Sequence, residues 1–78
     1  MMVKAYVLII AHPGKTRSVV AAIRNVKGVV ESHEVMGPYD IVAEIEAATL
    51  ADIPPILGDQ IRRIDGVEST TSLVTFPE

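Results

Sequence analysis

No cysteine occurs among the 78 residues, so neither a disulfide staple nor a thiolate metal site is available. Two histidines are too few for an ordinary closed zinc site. Aromatic residues reach only 4%, as Tyr6, Tyr39 and Phe76, and nucleic-acid bases would find little to stack on. Positive charge is equally thin. The seven Lys and Arg residues (Lys4, Lys15, Arg17, Arg24, Lys27, Arg62, Arg63) are scattered in a chain of net charge −3, with no basic stripe of the kind that neutralises phosphates. The apolar run from Val3 to Ala11 is too short to span a membrane, and the N-terminal region carries no signal-peptide cleavage pattern. These absences point to a soluble, cytoplasmic protein that binds neither nucleic acid nor membrane directly.

What the chain has in quantity is apolar surface. Residues 1–78 make one domain, and a chain this short buries only about 60 to 65% of the surface its unfolded form exposes. A hydrophobic content of 49% exceeds what so small an interior can hide, and with no staple at hand the remaining source of stability is association with other chains.

Two stretches answer each other: Ile23 to Val29, "IRNVKGV", and Ile61 to Val67, "IRRIDGV". Each reads as the last turn of a helix, a glycine able to take the left-handed conformation, and the first apolar residue of a strand. The first strand is expected over Lys4–Ala11, rich in β-branched residues. His12-Pro13-Gly14 breaks it. A helix follows from about Lys15 to Val26, with Val19, Val20, Ile23 and Val26 on one stripe. A second strand runs from Val29 to Met36, a Gly37-Pro38-Tyr39-Asp40 turn reverses the chain, and Ile41–Glu46 alternates as a third strand. The second helix is placed at Pro54–Ile64, because Pro54 biases Ile53 away from helical angles. Asp52 is its expected N-cap, and Leu57, Ile61 and Ile64 form its buried side. The last strand is Val67–Phe76, stopped by Pro77.

The order β-α-β-β-α-β builds an α+β ferredoxin-like sandwich, a four-stranded antiparallel sheet with two helices on one face. A half-solvated first strand would alternate apolar with polar, yet Ala5 to Ala11 is apolar throughout. The second sheet face therefore needs a cover, which a second copy supplies most simply by packing sheet on sheet, as in dimeric α/β-barrels.

The turn holds more than reversal requires. Gly37-Pro38 already satisfies the geometry, and Tyr39 with Asp40 is surplus. With Gly-Val after the first helix, Gly-x-Tyr-Asp at the central hairpin and Gly-Val-Glu-x-Thr-x-Ser from Gly66 to Ser72, the chain resembles the effector-binding (RAM) domain of the Lrp/AsnC family of amino-acid-responsive transcription regulators over nearly its whole length. The family's helix-turn-helix has no room before Val3, so the resemblance is to stand-alone members that keep the sensor and lack the DNA reader.

The resemblance implies homodimers that assemble further, commonly to octamers, with an amino acid held where dimers meet. It implies partnership with full-length Lrp/AsnC regulators and no cofactor. The ligand-binding positions it matches are Gly37, Pro38, Tyr39, Asp40, Thr70 and Ser72. Gly37 lets backbone approach a ligand, Asp40 can accept from an α-ammonium group, and turn amides with the Thr70 and Ser72 hydroxyls can donate to an α-carboxylate. Tyr39 serves equally as a pocket wall or an interface anchor.

No catalytic group stands out. Glu31, Glu34, Glu44 and Glu46 have neither nucleophile nor phosphate loop beside them, and His12 and His33 lack neighbouring ligands, so no catalytic or metal residue is assigned. Two other functions share the topology. A small monooxygenase-like dimeric barrel enzyme would need His, Tyr or Asp in a deep pocket between helices and sheet, where this chain supplies Val, Ile and Ala. An ACT-like regulatory domain would pair sheets edge to edge.

Overall fold

The structure, a computed structural model, describes residues 2–76. Strands β1 (Val3–Ala11), β2 (Val29–Glu34), β3 (Ile41–Ala47) and β4 (Val67–Val74) form one antiparallel sheet in the order β2-β3-β1-β4. Helix α1 (Thr16–Arg24) joins β1 to β2, and a second helical segment joins β3 to β4. This is the ferredoxin-like arrangement expected from the order of elements.

The sheet has two different faces because side chains alternate along each strand. Ala5, Val7, Ile9 and Ala11 of β1 and Ile41, Ala43, Ile45 and Ala47 of β3 are all buried beneath Val19, Val20, Ile23, Ile53, Leu57 and Ile61 of the helical layer. The intervening residues point the other way. There the register places Leu8 beside Val42 and Thr71, and Tyr6 beside Glu44 and Leu73. Tyr6, Leu8, Ile10 and Val42 remain only half-buried and Leu73 is 53% exposed, so the apolar content of β1 does serve two faces. Toward β2 this second face turns polar, with Glu31 directly opposite Glu44 and Lys4 Nζ 3.7 Å from the Glu44 carboxylate.

The sequence repeat is a structural repeat. Gly28 and Gly66 share φ +102°, and each accepts a backbone bond from the opposite half: Glu46 N–H donates to Gly28 O at 2.9 Å and His12 N–H to Gly66 O at 2.8 Å. The preceding arginines correspond as well. Arg24 Nη2 donates to Ser32 O at 3.1 Å and Arg62 Nε to Thr70 Oγ1 at 3.0 Å, each eight residues onward into the following strand.

Several boundaries differ from expectation. Helix α1 is Thr16–Arg24 rather than Lys15–Val26, and Val26 is half-buried beyond its end. Strand β2 stops at Glu34, leaving Met36 fully exposed, and β4 stops at Val74, with Phe76 92% exposed. The expected stop at Pro77 lies outside the described residues.

The second helical segment departs most. Expected as Pro54–Ile64, it comprises a 3₁₀ turn (Leu50–Asp52), a short helix α2 (Ile53–Pro55) and a wide turn (Ile56–Ile61). Ile53 is helical (φ −69°, ψ −51°) despite the proline after it. Its side chain is 2% exposed, and burying an isoleucine contributes about 1.5 to 3 kcal/mol, enough to override the local bias of a residue before proline. Asp52 is not the expected cap: its backbone is helical, it makes no capping bond, and its Oδ2 accepts from Thr49 Oγ1 at 3.0 Å. Pro54 and Pro55 lie in the first turn of α2, where an N–H has no helical partner to lose; the turn after them is wide, with Arg62 N–H donating to Leu57 O, five residues back, at 2.9 Å. Leu57 and Ile61 are buried as expected; Ile64 is half-buried against the core.

Candidate functional site

The turn between β2 and β3 is closed by Val35 N–H donating to Asp40 O at 2.9 Å. Gly37 at its tip has φ +147° and no heavy atom within 4 Å of where a Cβ would stand, so this backbone is strained for other residues and open to approach. Pro38 is exposed and Tyr39 half-buried. Asp40 is fastened rather than free: its N–H donates to Ile9 O at 2.9 Å, and its Oδ2 accepts from Ala11 N–H at 2.9 Å. The carboxylate thus ties the turn to the end of β1, with Oδ1 left for another donor.

Thr70 lies opposite Ile9 and Ser72 opposite Val7. The two hydroxyls share a face, as their spacing requires, and it is the helix-covered face at the outer edge of the sheet. Thr70 Oγ1 accepts from Arg62 Nε, whereas Ser72 is exposed. Ile41, Ile9 and Thr70 form one row across β3, β1 and β4, so the turn and Thr70 stand at the same end of the sheet but two strand spacings apart, about 10 Å. Neither of the two hollows beside Arg62 is lined by both the turn and Thr70.

Two hollows flank Arg62. One, of about 320 Å³, is lined by Arg62, Val67, Glu68, Ser69 and Thr70 at the start of β4. The other, of about 260 Å³, is lined by Leu50, Ile53, Pro54, Leu57, Gly58, Arg62 and Val74. Arg62 was not singled out from the sequence. The signal that could have found it was the repeat, whose two arginines turn out to reach forward to equivalent strand positions.

Nearby charges are structural in scale. His12 Nδ1 lies 3.5 Å from Glu68 Oε2, and His33 Nε2 4.0 Å from Glu31 Oε2. Lys15 Nζ donates to Asp65 Oδ2 at 2.8 Å; that hydrogen bond, then the same lysine's charge, holds the Asp65 carboxyl below the ordinary aspartate range. Among the described residues no group of three His, Cys, Asp or Glu side chains is placed to hold a metal ion, and no helix is long and apolar enough to cross a membrane.

The ferredoxin-like sheet thus carries a fastened Gly-x-Tyr-Asp turn and, two strands away, the hydroxyls of Thr70 and Ser72. Residues 4–78 match the Lrp/AsnC ligand binding domain, and the chain belongs to that family. An uncharacterised HTH-type transcriptional regulator of Pyrococcus furiosus is 37% identical over 75 residues, which are 92% of this chain and 50% of the relative. The chain therefore spans about half the length of the curated relatives it matches. A crystal structure of a protein from Thermus thermophilus is similar with a TM-score of 0.92 at 29% identity, covering 97% of this chain and 95% of that one. A Neisseria meningitidis transcriptional regulator crystallised with L-Met shares the fold, with a TM-score of 0.85 at 15% identity over 97% of this chain and 51% of that one.

Proposed function

We propose that the chain is a non-enzymatic sensor of a small amino acid, which assembles through its sheet face and acts on Lrp/AsnC transcription regulators in the cytoplasm. The observation that carries this reading is the uncovered sheet face, where Tyr6, Leu8, Ile10, Val42 and Leu73 form a continuous apolar surface. Covering it with a second copy makes a dimer of the α/β-barrel type, and dimers then associate, to an octamer in the form the family resemblance implies. The family's regulatory character and the L-Met complex of the Neisseria relative support an amino-acid effector.

In this reading Gly37, Pro38, Tyr39 and Asp40 form one side of the effector site, and Thr70 and Ser72 provide the other. Their separation across β1 favours a site completed by a neighbouring copy, so that ligand and assembly are coupled. The layer between helices and sheet is filled by Val, Ile, Leu and Ala side chains, which supports binding over catalysis.

Light scattering of the full chain, with and without each common amino acid and paired with calorimetric titration, tests the proposal. The expected result is a mass several times 8.4 kDa that changes with at least one amino acid. Failure of every amino acid both to bind and to change the mass contradicts it.

A further inference from the structure

We propose that the groove between the second helical segment and the end of β4 binds a short aliphatic carboxylate, its tail against Leu50, Ile53, Leu57 and Val74 and its carboxylate on the Arg62 guanidinium. The groove touches the amino-acid reading only through Arg62, which bonds Thr70, and its apolar wall lies elsewhere. Val74 pairs with Ala5, at the opposite end of the sheet from the Gly37–Asp40 turn, and lies four residues along β4 from Thr70, about 13 Å.

The groove has the form of an amphiphile's site. Of its lining residues, Leu50, Ile53, Pro54, Leu57 and Val74 are apolar, Gly58 has no side chain, and Arg62 alone carries charge. Leu50 and Val74 are 61% and 43% exposed in the chain by itself, apolar surface that a ligand tail would remove from water. Two features keep the groove open. No heavy atom stands within 4 Å of a Cβ built at Gly58, and the turn Ile56–Ile61 is wider than a regular α-helix.

Charge complementarity fixes the class of occupant. Arg62 Nε is bonded to Thr70 Oγ1, which orients the guanidinium plane and leaves its terminal nitrogens for a bidentate anion. Among the described residues no carboxylate lies within ion-pair distance of Arg62. The lining also includes no carboxylate to receive an ammonium group, so the amino group of a free amino acid would find no anionic partner there. A monocarboxylate without it, whether a 2-oxo acid or a short fatty acid, satisfies every group. The volume of about 260 Å³ falls just under the about 300 Å³ at which small-molecule pockets usually begin, and suits a short chain.

The test is an NMR titration of the isotopically labelled full chain with hexanoate, 4-methyl-2-oxopentanoate and L-leucine. Both monocarboxylates are expected to give saturable shifts at the amides of Leu50, Leu57, Gly58 and Val74, and L-leucine to bind there at least about fivefold more weakly. Whichever monocarboxylate binds more tightly identifies the source, and either order upholds the class. Arg62→Gln, an exposed substitution, should weaken hexanoate at least about fivefold, and Leu50→Glu, which puts an anion at the groove mouth, should do the same with Arg62 in place. Asp40→Asn should leave hexanoate binding unchanged, which separates this site from the amino-acid site. Absence of shifts at these amides up to roughly 10 mM, hexanoate binding unaltered in Arg62→Gln, or L-leucine binding as tightly as hexanoate would overturn the proposal.

Discussion

Asp40 Oδ2 accepts a hydrogen bond from Ala11 N–H at 2.9 Å, across 29 residues of sequence. Ala11 is 5% exposed, so deleting the carboxylate strands a nearly buried amide, at a cost of about 1 to 3 kcal/mol. Asp40→Ala should lower the melting temperature by about 4 to 8 °C for each kcal/mol lost, whereas Asp40→Asn keeps an acceptor for the amide and should stay closer to the parent. If the free Oδ1 also receives an effector's ammonium group, Asp40→Asn weakens amino-acid binding while leaving most of the stability. Thermal melts of both variants at one protein concentration, with calorimetric titration of Asp40→Asn, separate the two roles.

Glycine is required at the two equivalent helix exits, though not equally. A Cβ at Gly66 would meet Val19 Cγ2 at 2.8 Å and Lys15 Cβ at 3.0 Å, while at Gly28 the closest atom is Ile56 Cδ1 at 2.8 Å, the far end of a flexible side chain. Both positions have φ +102°, which alone costs an alanine about 1 kcal/mol or more. Gly66→Ala should therefore destabilise by about 2 to 3 kcal/mol and Gly28→Ala by less. Denaturant unfolding of the two variants checks the order.

Asp65 gives the acid limb of the stability curve a definite sign. Lys15 lowers its folded-state pKa, so the unfolded chain binds the proton more readily. The contribution is present above the unfolded value of about 3.9 and disappears as pH falls through the lower folded value. The pair is exposed, and its effect is small and salt-sensitive. Asp65→Asn should be slightly less stable than the parent near neutrality, with the difference vanishing in acid and shrinking in high salt; melts across pH at two ionic strengths measure it.

Leu8 stands near the middle of the uncovered sheet face, between Val42 and Thr71. A charge there would have to lose its water on sheet-to-sheet packing. Leu8→Glu should dissociate the assembly while leaving the single-chain fold, because its side chain points away from the buried layer. Light scattering would show a fall in mass and circular dichroism an unchanged sheet and helix content.

The elements with one dominant local signal were legible in the sequence. Alternation in Ile41 to Glu46 and the stripe Val19, Val20, Ile23 and Val26 identify a strand and a helix by period, although Val26 falls beyond the helix end, and the unbroken apolar run of β1 correctly implied two apolar faces. The second helical segment was not legible in the same way. The local preference of Ile53 before proline opposed the burial of its side chain, and burial prevailed through contacts distant in sequence. The candidate site divided along the same line. Placing Thr70 and Ser72 on one face followed from strand period, but which face it was depended on the register of β4 against β1. The bonds Asp40 to Ala11 and Arg62 to Thr70 belong to tertiary geometry, and only the second had a trace in the sequence, through the paired Ile-Arg repeats.

The central claim is that the apolar sheet face is buried between copies of the chain, and the mass of the wild-type protein at micromolar concentration tests it most directly. Static light scattering should give at least twice the 8.4 kDa of one chain, falling on dilution or on introduction of Leu8→Glu. A folded, monodisperse 8.4 kDa particle that persists as concentration rises through the micromolar range would contradict it.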